Sequence, residues 1–326
     1  MSSLVAGSSK KYKIGVLVSF NDAYADMARV SVFENIEHYC KLHGYTLHVD
    51  RQQSERMTRF AAWNKVIACI EALPLYDWLF YIDVDCIIMD HTRPLEAFID
   101  DYYSFIVPAH NVKAVDTPVL NEMGTDCVIT SQFLVRNDET GMAILEDIWA
   151  AKEWPEGMDI NTFDYEGRQV RVTIQKPEFV MRTKVIEEYL LNRFWYVNDP
   201  FINFHNRGVN DNIWQPGDFI VHVSNYPIND RTDLIDMLNY FSGGDVVGWY
   251  REPSKIKFIS FDDLTNVMID VCDLNHEVLI RYAFPELSHE IRYILYTNEQ
   301  IDQQEVIVKA YRHDKLIAAR YLPCKN

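Results

Sequence analysis

The 326-residue chain lacks several features that would have placed it quickly. Its six cysteines, Cys40, Cys69, Cys86, Cys127, Cys272 and Cys324, form no CxxC pair. Scattered in mostly apolar contexts, they read as reduced, buried thiols, against a disulfide framework or a zinc site. No run approaches the roughly 20 apolar residues that a membrane helix needs. The opening MSSLVAGSSKKYK has no apolar stretch long enough for a signal peptide. The expectation is a soluble, cytoplasmic protein, with a trimmed ectodomain as the alternative. Positive charge is scarce: 31 Lys and Arg against 48 Asp and Glu give a net charge of −17. Such a surface repels nucleic acid and anionic membrane. A negatively charged substrate would need a local device, such as a metal ion or a helix N-terminus. Repeats and low-complexity segments are also missing.

What is present is the composition of a globular protein, 48% apolar and 24% charged. The length suits one large domain, or an ordinary one with a smaller companion. Aromatics are plentiful at 13%. They serve a packed core, or flat surfaces on which sugars or bases stack.

The chain first alternates short β-rich runs with helical patterns. KIGVLVSF (13–20) reads as a buried strand. Residues 24–43 carry Met27, Val30, Phe33 and Ile36 at helical spacing, and Gly44 ends the helix. YTLHVD is a second strand, and Thr58 to Leu73 a second helix stopped by Pro74. YDWLFYIDVDCIIMD (76–90), YSFIVPAH and TDCVITSQFLVRN supply further strands, and a helix ends near Trp149. Residues 155–180 read as an irregular polar loop or hairpin, KVIEEYLLNRF as helical, and GDFIVHVSN as a buried strand. This order predicts an α/β fold with a mainly parallel sheet and flanking helices. Residues 241–256 (FSGGDVVGWYREPSK and its neighbours) read as a linker. Beyond it, period-two runs predict a small antiparallel β domain. The expected division is 1–240, a linker at 241–256, and 257–326, whose role is packing, dimerisation or glycan binding.

Within YIDVDCIIMD, Asp83 and Asp85 interrupt an apolar run. Unpaired buried carboxylates are costly, so the pair needs a partner. Two carboxylates at i and i+2, where a strand turns into a loop, can share one hard divalent cation such as Mn²⁺ or Mg²⁺. A cation there would neutralise a diphosphate and help it leave. In parallel sheets, ligands bind at such carboxyl ends. The bland alternative is a solvated turn. Asp90 lies beyond the pair and reads as a turn or capping residue. His222, within an apolar strand, is either a satisfied core histidine or a third ligand.

Four stretches now stand in order: a W-x-K helix (WNK, 63–65), the acidic strand end at Asp83 and Asp85, SQFLVRND, and GDFIVH ending at His222. Together they resemble the galactosyl/mannosyl/xylosyltransferase family called glycosyltransferase family 34, over roughly residues 13–225. The resemblance implies a GT-A fold, Mn²⁺ (or Mg²⁺), a nucleotide-sugar donor that is UDP- or GDP-linked, a glycan acceptor, and transfer with retention of configuration. It also implies Asp83, Asp85 and His222 as metal ligands, with Asp83 shared with the ribose. Lys65 would contact the donor or, more plainly, be an exposed helix residue. Ser19, Phe20 and Asn21 would grip base and ribose. The family's N-x-G is replaced by Thr130-Ser131-Gln132, which puts Gln132 near the sugar pocket. Its acidic-Gln pair becomes Glu187 and Glu188, acting at the anomeric carbon as stabiliser, nucleophile or base. Arg231 is the nearest basic residue after the histidine. The family is usually anchored in the Golgi membrane, and no anchor is visible here, which points to a viral or bacterial relative. Two other readings stay open. One is a nucleotidyltransferase or nucleotide-sugar hydrolase, though SFNDAYAD lacks the former's glycine-rich first loop. The other is a non-catalytic carbohydrate-binding protein.

Overall fold

A computed structural model describes residues 12–51, 61–109, 128–151, 165–194, 218–224, 228–242, 247–252, 255–260, 264–287, 292–296, 301 and 305–322. Cys127, Cys324, the start of the expected helix at Thr58, the first part of the 155–180 segment and the glycines of GGD lie outside these residues.

Among the described residues, strands and short helices alternate through the first two thirds of the chain. They include β1 (Ile14–Phe20), β2 (Thr46–Arg51), β3 (Trp78–Ile82), β4 (Cys86–Ile88), β5 (Phe105–Ala109), β6 (Gln132–Arg136) and β7 (Thr183–Glu187). A six-stranded sheet has the order β2-β1-β3-β6-β5-β7. β1 runs parallel to β2 and β3, and β5 parallel to β7. β6 is the strand that opposes its neighbours. The result is the expected α/β class with a mainly parallel central sheet.

The apolar runs follow from burial on both faces. Val16, Val18, Phe80 and Ile82 enter one core, and Leu17, Leu79 and Tyr81 enter the core on the other face. Successive strand side chains point to opposite faces, so a strand covered on both sides is apolar throughout. Gly15 has a packing reason: a Cβ there would lie 2.5 Å from the Tyr76 ring.

A second, three-stranded sheet stands at the carboxyl edge of the first. It is made of β4, β8 (Arg193–Phe194) and β9 (Ile220–His222), in the order β4-β9-β8. The chain passes from the large sheet into the small one through the turn Asp83–Cys86, where Cys86 N–H donates to the Asp83 carbonyl at 3.2 Å.

The C-terminal strands are β10 (Val247–Glu252), β11 (Lys255–Ser260), β12 (Leu264–Cys272), β13 (Val278–Leu287), β14 (Arg292–Tyr296), β15 (Val306–Arg312) and β16 (Lys315–Leu322). They form antiparallel sheets ordered β10-β11-β14 and β13-β12-β15-β16, with their own apolar core around Val267, Ile269, Leu295 and Val308. Tyr321 packs against the helix Glu37–His43, its ring 4.8 Å from that of His38. Among the described residues no helix is long and apolar enough to cross a membrane.

Four local readings change. The segment expected to be irregular holds two helices, Tyr165–Ile174 and Pro177–Val180. Val170 and Ile174, one turn apart, are buried with Ile144 and Ile148 of the helix Glu139–Ala150. Tertiary packing of two apolar residues outweighs an otherwise polar pattern. KVIEEYLLNRF is not one helix. Thr183–Glu187 pair in register with β5, and only Glu188–Leu191 are helical. Thr183, Val185 and Ile186 are β-branched, and β5 offers an open edge. The helix at 24–43 contains a π-helical turn at Ser31–Ile36. Finally, the stretch read as a linker contributes β10.

Gly44 adopts φ +73°, the left-handed C-cap expected of it. Asp90 accepts from Thr92 N–H at 2.9 Å and Thr92 Oγ1 at 2.6 Å, the turn role expected of it. Cys40, Cys69, Cys86 and Cys272 are buried and unpaired by disulfides.

Candidate functional site

The site gathers where several strands end on one edge of the large sheet. β1, β3, β5 and β7 finish there, and antiparallel β6 begins there. Ser19 and Phe20, Ile82, Ala109, Gln132 and Glu187 therefore share that edge. Asp83 follows Ile82 directly, and its backbone N–H donates to the Ser131 carbonyl at 2.8 Å, which ties it to the start of β6.

The turn then sends Asp85 toward the small sheet. Cys86 lies opposite His222 in the β4–β9 pair, and Val223 N–H donates to the Asp85 carbonyl at 2.9 Å. This register brings two residues 137 positions apart in sequence together: His222 Nε2 is 3.4 Å from Asp85 Oδ1. The other Asp85 oxygen accepts from Arg231 Nη1 at 2.7 Å. Arg231 comes from the helix Ile228–Phe241. The other nitrogen of His222 lies 3.4 Å from Ser131 Oγ, and its ring stacks on Phe194 with centroids 5.4 Å apart. Burial alone would raise the Asp85 pKa. His222 and Arg231 outweigh it and hold the carboxyl below the usual carboxylate range, which favours the ionised form.

Asp83 faces different partners. Tyr81 Oη donates to Oδ1 at 2.6 Å, and Lys65 Nζ lies 3.2 Å from both carboxylate oxygens. Burial, with Asp85 adding repulsion, raises its pKa, while Lys65 opposes the rise. Lys65 is buried, at 7% exposure, which removes the reading of an ordinary exposed helix residue. Its ammonium also reaches Glu166 Oε1 at 2.9 Å and the Thr130 carbonyl at 3.3 Å. Burial disfavours the charged lysine, yet Asp83 and Glu166 prevail and raise its pKa.

The donor set fits a divalent cation. Asp85, Cys86 and His222 offer ligand atoms that all lie within 4.8 Å of one another, with Asp85 and Cys86 buried. A carboxylate and an imidazole suit Mn²⁺ or Mg²⁺ better than a thiol does. Burial and the two aspartates push the Cys86 thiol pKa far up, and Gln132 Nε2 already donates to its sulfur at 2.8 Å. Asp85 and His222 thus offer the ligand atoms better suited to such a cation. The two Asp83 oxygens are engaged on the side of Tyr81 and Lys65.

The remaining expected residues fall on the same edge or beside it. Ser19 Oγ donates to Asp50 Oδ2 at 2.7 Å, and the Arg51 guanidinium sits 4.7 Å from the Phe20 ring centroid. Asn21 caps the turn Asp22–Tyr24 by accepting from Ala23 N–H at 3.0 Å. Gln132 is fully buried beneath the turn. Glu187 ends β7, and Glu188 opens the following short helix, buried, accepting from Asn192 Nδ2 at 3.0 Å. From Asn192 the chain runs directly into β8, whose Phe194 stacks on His222.

Sequence reasoning missed Glu166, Tyr81, Asp50 and Phe194. Glu166 carried no local signal, because its segment read as a loop. Tyr81 had one: a phenol two residues before an aspartate on a strand lies on the same face, within reach of it.

Residues 14–226 match the galactosyl transferase GMA12/MNN10 family. No curated protein sequence matches the chain significantly. Among solved structures, a glycosyltransferase involved in the glycosylation of the major capsid of PBCV-1 is similar at 18% identity. It covers 69% of this chain and 100% of its own, with a TM-score of 0.49. The glycosyltransferase GlyE of Streptococcus pneumoniae TIGR4 is similar at 16% identity, covering 70% of this chain and 60% of its own, with a TM-score of 0.44.

Proposed function

The chain belongs to the galactosyl transferase GMA12/MNN10 family and is a glycosyltransferase, and from that premise we propose a metal-dependent transfer of sugar from a UDP- or GDP-linked donor to a glycan acceptor. The observation that carries this reading is the convergence of Asp85 and His222 at the sheet edge, 3.4 Å apart. These two residues would hold Mn²⁺ or Mg²⁺. Such a cation supplies the positive charge that stabilises a departing diphosphate in a protein of net charge −17.

The chain's own residues do the rest. Asp83 would share in the metal and ribose contacts. Ser19, Phe20 and Asn21 border the base and ribose, and Gln132 the sugar. Arg231 is an additional donor-binding cation. Glu187 and Glu188 are the carboxylates assigned to the sugar side. Their place at the end of β7, on the same edge as the aspartates, supports this. A carboxylate beside the anomeric carbon stabilises positive charge there or attacks it, and attack followed by displacement gives the retention that the family resemblance implies. Residues 1–240 as the transferase domain and a β-rich unit beyond it, extended from the expected 257 back to β10 at Val247, complete the reading, with packing or self-association assigned to the latter.

The test is calorimetry of UDP and GDP with Mn²⁺ and with EDTA. One diphosphate is expected to bind with Mn²⁺ and to lose that affinity in EDTA. Equal affinity in both would overturn the metal model.

A further inference from the structure

Glu166 lies in a stretch that carries no family motif. It stands in the first turn of the helix Tyr165–Ile174, where a carboxylate is favoured by the helix dipole. Its side chain and that of Lys65 are each 9% exposed. Oε1 takes two bonds, from Lys65 Nζ at 2.9 Å and from Thr130 Oγ1 at 3.0 Å. Lys65 Nζ in turn reaches Asp83 and the Thr130 carbonyl, and sits 5.2 Å from the centroid of the Tyr81 ring.

One carboxylate would be enough to neutralise Lys65, and Asp83 already does so. A second one therefore calls for another explanation. An ammonium is a compact point charge on a flexible four-carbon stem, with no preferred direction of its own. Its position is set by its acceptors. With Asp83 alone it would be free to swing around the carboxylate. Glu166 and the Thr130 carbonyl pull it from the other side and hold it astride the carboxylate, 3.2 Å from each Asp83 oxygen, while Tyr81 also donates to Oδ1.

We propose that Glu166 is a positioning residue, which orients Asp83 through Lys65 for its part in cation binding. The proposal rests on the reading of Asp83 and Asp85 as a cation site. Partners of this kind, one shell out from the ligands, typically change metal affinity by about 10- to 100-fold when altered.

The experiment uses Mn²⁺ alone, read by the electron-spin signal of the free ion, on the full chain and on Glu166→Gln and Glu166→Asp, with melting temperatures measured alongside. Gln keeps the size and loses the charge; Asp keeps the charge and loses the reach. Both variants are expected to weaken Mn²⁺ about tenfold. Wild-type affinity in Glu166→Gln would overturn the proposal. Wild-type affinity in Glu166→Asp would also overturn it, because charge alone would then explain the effect. Crystal structures of the same variants supply an arm that needs no metal: the Asp83 carboxylate is expected to turn away from its wild-type orientation, and an unmoved Asp83 overturns the proposal. Failure of the wild-type chain to bind Mn²⁺ would count against the metal-dependent function, and the crystal structures would still decide the role of Glu166.

Discussion

Asp85 and Asp270 are both buried, and both lie on or beside a β-strand, but their surroundings differ in kind. Asp270 lies in β12, directly opposite Arg281 of β13. The guanidinium grips it with two bonds, Nε to Oδ1 at 2.6 Å and Nη2 to Oδ2 at 2.7 Å, and is itself 57% exposed. One charge meets one charge in a planar fork, and both carboxylate oxygens are consumed. At the carboxyl edge of the large sheet, three carboxylates (Asp83, Asp85 and Glu166) meet two permanent cations, Lys65 and Arg231. Among the described residues in this network, permanent charges number three negative and two positive, with the His222 imidazole beside them. A structural ion pair closes on itself; a site is built with a deficit that an incoming cation removes.

That contrast can be broken. Its largest consequence is on activity. Asp85→Asn is expected to lower sugar transfer by roughly a thousandfold, the scale of several kcal/mol of charge stabilisation, as measured by product formation at saturating Mn²⁺. Retained activity would move the site elsewhere. Next comes stability. Lys65→Met leaves Asp83 and Glu166 facing each other with no cation between them. It is expected to cost about 3–5 kcal/mol in chemical denaturation, as breaking a buried pair does. A cost near zero would mean that the two carboxylates are solvated and the network is weak. The smallest effect belongs to the C-terminal sheet. Asp270→Asn should lower the melting temperature slightly and leave transfer unchanged, because the exposed Arg281 rehydrates easily. Loss of transfer in that variant would erase the distinction between the two aspartates.

Much of this organisation was legible in the sequence because it depends on local pattern. Apolar runs marked β1, β3 and β9, and Asp83-Val84-Asp85 stood out against theirs. The pairing of Asp85 with His222 was readable only through the family resemblance, since the β4–β9 register that creates it joins distant segments. Burial of Lys65 was hidden for the same reason: a lysine on a helix looks exposed until Glu166 and Asp83 are seen to meet it. Glu166 itself was illegible. Its helix is held by Val170 and Ile174 against another helix, and no periodic stripe announces two apolar residues among charged ones. In sequence, β7 reads as helix because Glu, Tyr and Leu follow it. Its strand state comes from the open edge of β5, a tertiary fact.

The turn Asp83–Cys86 joins two sheets, and its two aspartates have different allegiances. Asp83 is fastened to Tyr81, Lys65 and the start of β6, all from the large sheet and its helices. Asp85 is fastened to His222 and Arg231, on the small sheet and the helix after it. The two sheets also share one apolar core, in which Ile88 and Ile220 are buried with Val18 and Phe80. A cation touching both carboxylates would add a second, ionic seam between the same two sheets.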